Sequence, residues 1–133
     1  MKHERQLHLL RSGKVIKSYK LALGGAPVGH KEKQGDQKTP EGLYIIDSRN
    51  PNSQFHKSLH ISYPNAADRA RARRLKVHPG GDIFIHGLGK AFASIGKDHS
   101  LKDWTLGCIA VTNEEIEEIW RLVPNGTPIE IKP

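Results

Sequence analysis

The chain has 133 residues, 26% of them charged and 36% hydrophobic, a balance that suits one globular domain over 1–133 and excludes wholesale disorder. Its formal net charge of +7 comes from 21 Lys and Arg against 14 Asp and Glu, and such a surface draws anionic partners: nucleic acid, anionic lipid or acidic polymer. A single cysteine excludes an internal disulfide and a paired-cysteine zinc site, and no apolar run approaches the roughly 20 residues of a membrane-spanning helix.

The opening segment, Met1-Lys2-His3-Glu4-Arg5-Gln6, lacks the apolar core of a signal peptide. The chain is therefore either cytosolic or one that begins after a removed export signal. Leu7 and Leu9 alternate with polar neighbours, Ser12-Gly13 marks a turn, and Val15, Tyr19, Leu21 and Leu23 share one face of the next stretch. That pattern predicts a β-hairpin. Gly24-Gly25-Ala26-Pro27 breaks it, and a polar loop from Gly29 to Gly42 follows. Leu43-Tyr44-Ile45-Ile46 reads as a third strand and Asn50-Pro51-Asn52-Ser53 as a turn. Leu59, Ile61 and Tyr63 mark a fourth strand.

Between Asn65 and Leu75 the chain is rich in Ala and Arg, which predicts a mostly exposed helix. Its Arg69, Arg71, Arg73 and Arg74, with Lys76, form the densest basic cluster, and such a run is ordinarily a solvated face. Ile83-Phe84-Ile85 reads as a buried strand, Gly87 to Asp103 as a long irregular stretch, and Cys108-Ile109-Ala110-Val111 as another short apolar run. Thr112 and Glu115 have capping-box spacing. Ile116, Ile119, Trp120 and Val123 then form the stripe of an amphipathic helix. Pro124-Asn125-Gly126 stops it, and Ile129 and Ile131 mark a final edge strand. The architecture expected is mainly β with short helices.

Two positions carry candidate chemistry. His86 ends a buried strand and is followed by Gly87, and Cys108 follows Gly107 at the start of another apolar run. Strand ends present side chains rigidly to a cleft. A thiol needs a nearby imidazole to become a competent thiolate at neutral pH, and adjacent glycines let substrate approach backbone N–H groups. Eight histidines are spread through the chain, so on spacing alone the buried structural thiol is the favoured reading of Cys108 over a Cys108–His86 pair. His56 and His60 at i, i+4 span too far in a strand to share one ion. Gly87-Leu88-Gly89 lacks the third glycine of a dinucleotide fingerprint, and His99 falls in a polar loop.

Together these residues resemble the L,D-transpeptidase catalytic domain, the YkuD family. Thr105 and Gly107-Cys108-Ile109 resemble its S/T-x-G-C signature, and Ile85-His86-Gly87 its IHG element. Gly35-Asp36-Gln37-Lys38-Thr39-Pro40-Glu41-Gly42 matches its G-D-x-x-T-P-x-G segment, and Val123-Pro124-Asn125-Gly126-Thr127-Pro128-Ile129 its closing turn and strand. The resemblance implies a β-sandwich-like mixed sheet with a cleft, and activity on peptidoglycan in the periplasm or cell envelope after export. Cys108 would be the nucleophile and His86 the base, with the Gly87 carbonyl holding the imidazole tautomer. The N–H groups of Leu106, Gly107 and Cys108 would form the oxyanion hole. The cysteine would attack a tetrapeptide stem and release the terminal D-alanine, and an amine would resolve the thioester. No cofactor or metal is implied.

Three features depart from the family pattern. Leu106 stands where His is common, Ala110 where Arg or Asn is common two residues after the cysteine, and 98–104 looks inserted. Gly107 to Asn113 resembles the subset that includes enzymes cleaving protein from peptidoglycan. A hydrolase, as L,D-carboxypeptidase or as a peptidase releasing a wall-attached protein, is therefore the alternative. A non-catalytic wall-binding module would not need both Cys108 and His86. A nucleic-acid-binding domain would pair its arginines with exposed aromatics, so nucleic acid is not an expected partner.

Overall fold

The computed structural model describes residues 1–89 and 105–133. Strands β1 (Gln6–Arg11) and β2 (Lys14–Lys20) form an antiparallel hairpin. Ser12 and Gly13 both have positive φ, 52° and 79°, the backbone a tight two-residue hairpin turn requires. A register shift at Leu9/Leu10 breaks the alternation. Tyr19, Leu21 and Leu23 are buried as expected, but Val15, expected on their face, is 55% exposed beside the hairpin turn.

The main sheet has five strands in the order β6-β5-β4-β3-β7: β3 (Gly42–Ser53), β4 (His56–Ile61), β5 (Phe84–His86), β6 (Ile109–Ala110) and β7 (Pro128–Ile131). All pairings are antiparallel except β5–β6, so the sheet is mixed. Asn50-Pro51-Asn52-Ser53, expected as a turn, lies inside β3, and the chain reverses one step later, before His56. A register irregularity between Asn50 and Ser53 accommodates Pro51, which has no N–H for a regular ladder.

Helix α1 (Ala66–Leu75) starts from a capping box of Asn65 and Asp68, and only Asp68 and Ala72 are buried on it. Helix α2 (Asn113–Leu122) has the predicted box of Thr112 and Glu115 and lies against β4 and β5. Its Ile116 and Ile119 are almost fully buried, each contributing about 1.5–3 kcal/mol by leaving water. They join Leu21, Leu23, Ile46, Leu59, Ile61, Ile85, Ile109 and Val111 in one core cluster. The result is mainly β with two short helices. No helix among the described residues is long and apolar enough to cross a membrane. The expected irregular stretch beyond Gly89, the apparent insertion at 98–104 and His99 lie outside the described residues.

Candidate active site

Parallel pairing of β5 and β6 sets Ile85 against Ile109 and His86 against Ala110. Successive side chains of a strand point to opposite faces. Ile85, Ile109 and Leu59 belong to the core cluster, so Phe84, His86 and Ala110 take the other face, and Cys108 directly precedes β6. Ser58 and His60 pair with His86 and Phe84 from β4 and share that face. The sheet thus places His86 at the end of β5 and Cys108 immediately before β6, the strand that pairs with β5.

His86 is 3% exposed and closely held. Its Nδ1 lies 2.6 Å from the Gly87 carbonyl oxygen. A carbonyl only accepts, so Nδ1 carries the proton and, in the neutral ring, Nε2 keeps its lone pair. The Phe55 ring stacks on the imidazole at 4.4 Å between centroids and 23° between planes. The His86 carbonyl accepts from Val111 N–H at 3.0 Å, and Gly87 N–H donates to the Lys57 carbonyl at 3.2 Å. Gly87 has no room for a side chain, because a Cβ there would lie 2.6 Å from Asn113 Oδ1.

Cys108 is half-buried, and its Sγ donates to the Asp82 carbonyl at 3.5 Å. The turn before it is packed from several sides. Thr105 Oγ1 donates to the Cys108 carbonyl at 2.7 Å and accepts from Gly107 N–H at 3.1 Å. Thr39, fully buried, donates to the Gly107 carbonyl at 2.8 Å. Gly107 has φ +134°, and a Cβ would meet the Lys38 carbonyl at 2.7 Å. The 35–42 segment therefore braces the cysteine turn. It is itself fastened by Asp36, whose carboxylate accepts from the N–H groups of Glu32, Lys33 and Lys38 and from Lys31 Nζ.

The electrostatics favour a neutral resting pair. Burial pushes the Cys108 thiol above its ordinary value; a hydrogen bond from the Phe84 backbone opposes this, the Asp82 carboxylate adds to it, and Lys31 opposes it. Burial pushes the His86 imidazole below its ordinary value, against the Gly87 hydrogen bond. Desolvation thus disfavours the charged form of each group. A neutral thiol beside a neutral imidazole can still react by passing its proton as the nucleophile attacks.

Of the expected oxyanion donors, Leu106 is 78% exposed and the Gly107 N–H is engaged by Thr105. Ala110 is fully buried and offers no polar group to a ligand. His56 and His60 each face a separate carboxylate, Glu117 at 2.8 Å and Asp47 at 2.5 Å. Sequence reasoning missed Phe55, Asp82 and the bracing role of Asn113. Phe55 falls in a turn and Asp82 in the irregular stretch before β5, where local pattern carries no sign of a distant partner.

A model of the L,D-transpeptidase catalytic domain, YkuD, matches residues 2–131. The chain is 33% identical over 128 residues to YafK of Escherichia coli K12, covering 92% of this chain and 44% of that protein. It is 31% identical over 130 residues to YkuD of Bacillus licheniformis, covering 97% and 61%. Both carry L,D-transpeptidase in their names. The crystal structure of the helical cell shape determining protein Pgp2 from Campylobacter jejuni superposes with a TM-score of 0.72 at 25% identity, over 99% of this chain and 46% of that one. The chain thus spans less than two thirds of the length of these relatives. It belongs to the L,D-transpeptidase catalytic domain family.

Proposed function

We propose that this member of the L,D-transpeptidase family is a cysteine-dependent acyltransferase acting on peptidoglycan tetrapeptide stems in the cell envelope. Cys108 is its nucleophile and His86 its general base. The observation that carries the reading is the bond from His86 Nδ1 to the Gly87 carbonyl at 2.6 Å. It leaves Nε2 as proton acceptor, and Cys108 directly precedes the strand that pairs with β5. A backbone carbonyl here does the work of the orienting carboxylate in other triads.

Chemistry follows from the neutral pair. Sγ bonds to the stem carbonyl carbon as its proton passes to Nε2. The oxyanion is met by the backbone N–H groups of Leu106, Gly107 and Cys108, with Gly107 exchanging its Thr105 partner for it. The carbon–nitrogen bond to the terminal D-alanine breaks as that nitrogen takes the proton from Nε2. An acceptor amine then attacks the thioester, restoring the thiol and leaving a crosslink.

A second reading rests on Ala110. It stands where the family commonly carries Arg or Asn, and with water as acceptor the same site becomes a carboxypeptidase or a peptidase that frees wall-attached protein. Mass spectrometry of purified muropeptides incubated in ¹⁸O-water separates the outcomes. Crosslinked dimers support the transpeptidase, and D-alanine release with ¹⁸O in the shortened stem supports the hydrolase. Unchanged muropeptides in every mixture contradict the transpeptidase and the carboxypeptidase.

A further inference from the structure

We infer that Asn113 is a positioning residue for the His86 base, setting the orientation of the carbonyl that fixes its tautomer. The inference rests on the reading of His86 as base. Asn113 opens α2, and its Oδ1 accepts from Leu88 N–H at 2.7 Å and Gly89 N–H at 3.1 Å. Its Nδ2 donates to the Gly89 carbonyl at 3.5 Å.

The first of these bonds matters most. The Leu88 N–H and the Gly87 C=O belong to one peptide group, which is planar. Whatever grips that N–H also aims that carbonyl. Asn113 pulls on one side of the plane, and His86 Nδ1 meets the other at 2.6 Å. The preceding peptide is pinned by Gly87 N–H to the Lys57 carbonyl. Both peptides flanking Gly87 are therefore held, one by β4 and one by Asn113. The contact is close enough to require glycine, since a Cβ on residue 87 would meet Asn113 Oδ1 at 2.6 Å and the Phe55 carbonyl at 2.9 Å.

Chain order adds a consequence. Cys108, β6, Thr112 and Asn113 are one short continuous segment. The stretch that carries the nucleophile thus ends in the side chain that orients the base, so thiol and imidazole are referred to the same piece of backbone. Thr112 holds the start of α2 through its capping box, which keeps the Asn113 amide in place.

The test is ¹⁵N NMR of the His86 ring, with the pH profile of Cys108 alkylation, in wild type, Asn113→Ala and Asn113→Asp. Aspartate keeps the acceptor oxygens and is favoured in a first helical turn. In wild type the ring is expected as the single Nδ1–H tautomer. A folded Asn113→Ala protein should show mixed tautomers and alkylation slowed by roughly tenfold to a hundredfold at neutral pH, the scale of a small misplacement of a catalytic group. Asn113→Asp should restore both. Unchanged tautomer and reactivity in a folded Asn113→Ala protein overturn the inference. Should alanine prevent folding, a folded Asn113→Asp protein decides it: the Nδ1–H tautomer supports, and mixed tautomers overturn. His86→Gln isolates the underlying reading, because normal alkylation and turnover in that variant would remove His86 as base whatever Asn113 does to the ring.

Discussion

Replacing Asp36 by alanine tests whether the 35–42 segment is structural support for the cysteine turn. Asp36 and Lys31 form a pair at 3.0 Å with side chains 8% and 4% exposed. The variant leaves the Lys31 ammonium buried with the Lys33 carbonyl, at 3.1 Å, and strips acceptors from the N–H groups of Glu32, Lys33 and Lys38. Removing one partner of a buried pair costs about 3–5 kcal/mol. For a domain of this size each kcal/mol lowers the thermal midpoint by about 3–5 °C, so the expected drop is roughly 10–20 °C. The pH dependence gives an independent check. Burial alone would raise the Asp36 carboxyl, but the Glu32 N–H, the Lys31 ammonium and the Lys38 and Lys33 N–H groups outweigh it and bring the carboxyl from 3.8 down to about 2. A lowered carboxyl stabilises above its unfolded value and loses that contribution as pH falls from 3.8 toward 2, and Asp36→Ala should lack this acid limb. Calorimetric melts from pH 2 to 7 supply both numbers, and Lys31→Met with Asp36→Leu should recover the part of the loss that comes from the unpaired buried ammonium. A midpoint within a few degrees of wild type for Asp36→Ala would refute the bracing argument.

Gly107→Ala should destabilise by on the order of 1–3 kcal/mol through its strained backbone, since φ is +134° and the new Cβ would sit 2.7 Å from the Lys38 carbonyl; melting and Cys108 alkylation should fall together, and an unstrained, fully reactive variant would count against the geometry. The neutral pair predicts a bracketed stability profile. His86 is lowered in the fold from 6.5, so as pH drops through 6.5 the unfolded chain takes the proton first and stability falls. Cys108 is raised from 9.0, so as pH climbs through 9.0 the unfolded thiol ionises first and stability falls again. His86→Gln should flatten the slope between pH 7 and 5 and Cys108→Ala the slope above pH 8; melts in which neither slope changes would show that the pair ionises in the fold as it does in the open chain.

Much of this was legible in the sequence. The Ser12-Gly13 turn, the Thr112–Glu115 box and the stripe of Ile116, Ile119 and Trp120 are local signals, and local signals survive folding. Cys108 and His86 stood out because glycines flank them at the edges of apolar runs. The extent of β3 was missed because Asn50-Pro51 reads as a turn in isolation, whereas pairing with β4 through a bulge carries the strand past it. The bracing of the site was hidden for a different reason. Thr39 meets Gly107, Asn113 meets Leu88, and Phe55 meets His86, contacts between residues far apart in sequence that no periodicity records. The direction in which burial moves the Cys108 and His86 titrations was not legible, because it depends on desolvation, a property of burial rather than of residue type.

The central claim is that Cys108 forms the acyl-enzyme and His86 moves its proton. Rapid-quench intact-protein mass spectrometry with a tetrapeptide stem tests it most directly. Wild type should gain the mass of the acyl stem less D-alanine, mapped by digestion to the peptide holding Cys108. His86→Ala should form the same adduct slower by about 10²–10⁴-fold, the usual scale of general-base help, and Cys108→Ala should form none. A Cys108→Ala protein that still trims or joins stems, or an adduct mapped elsewhere in the chain, would contradict the account.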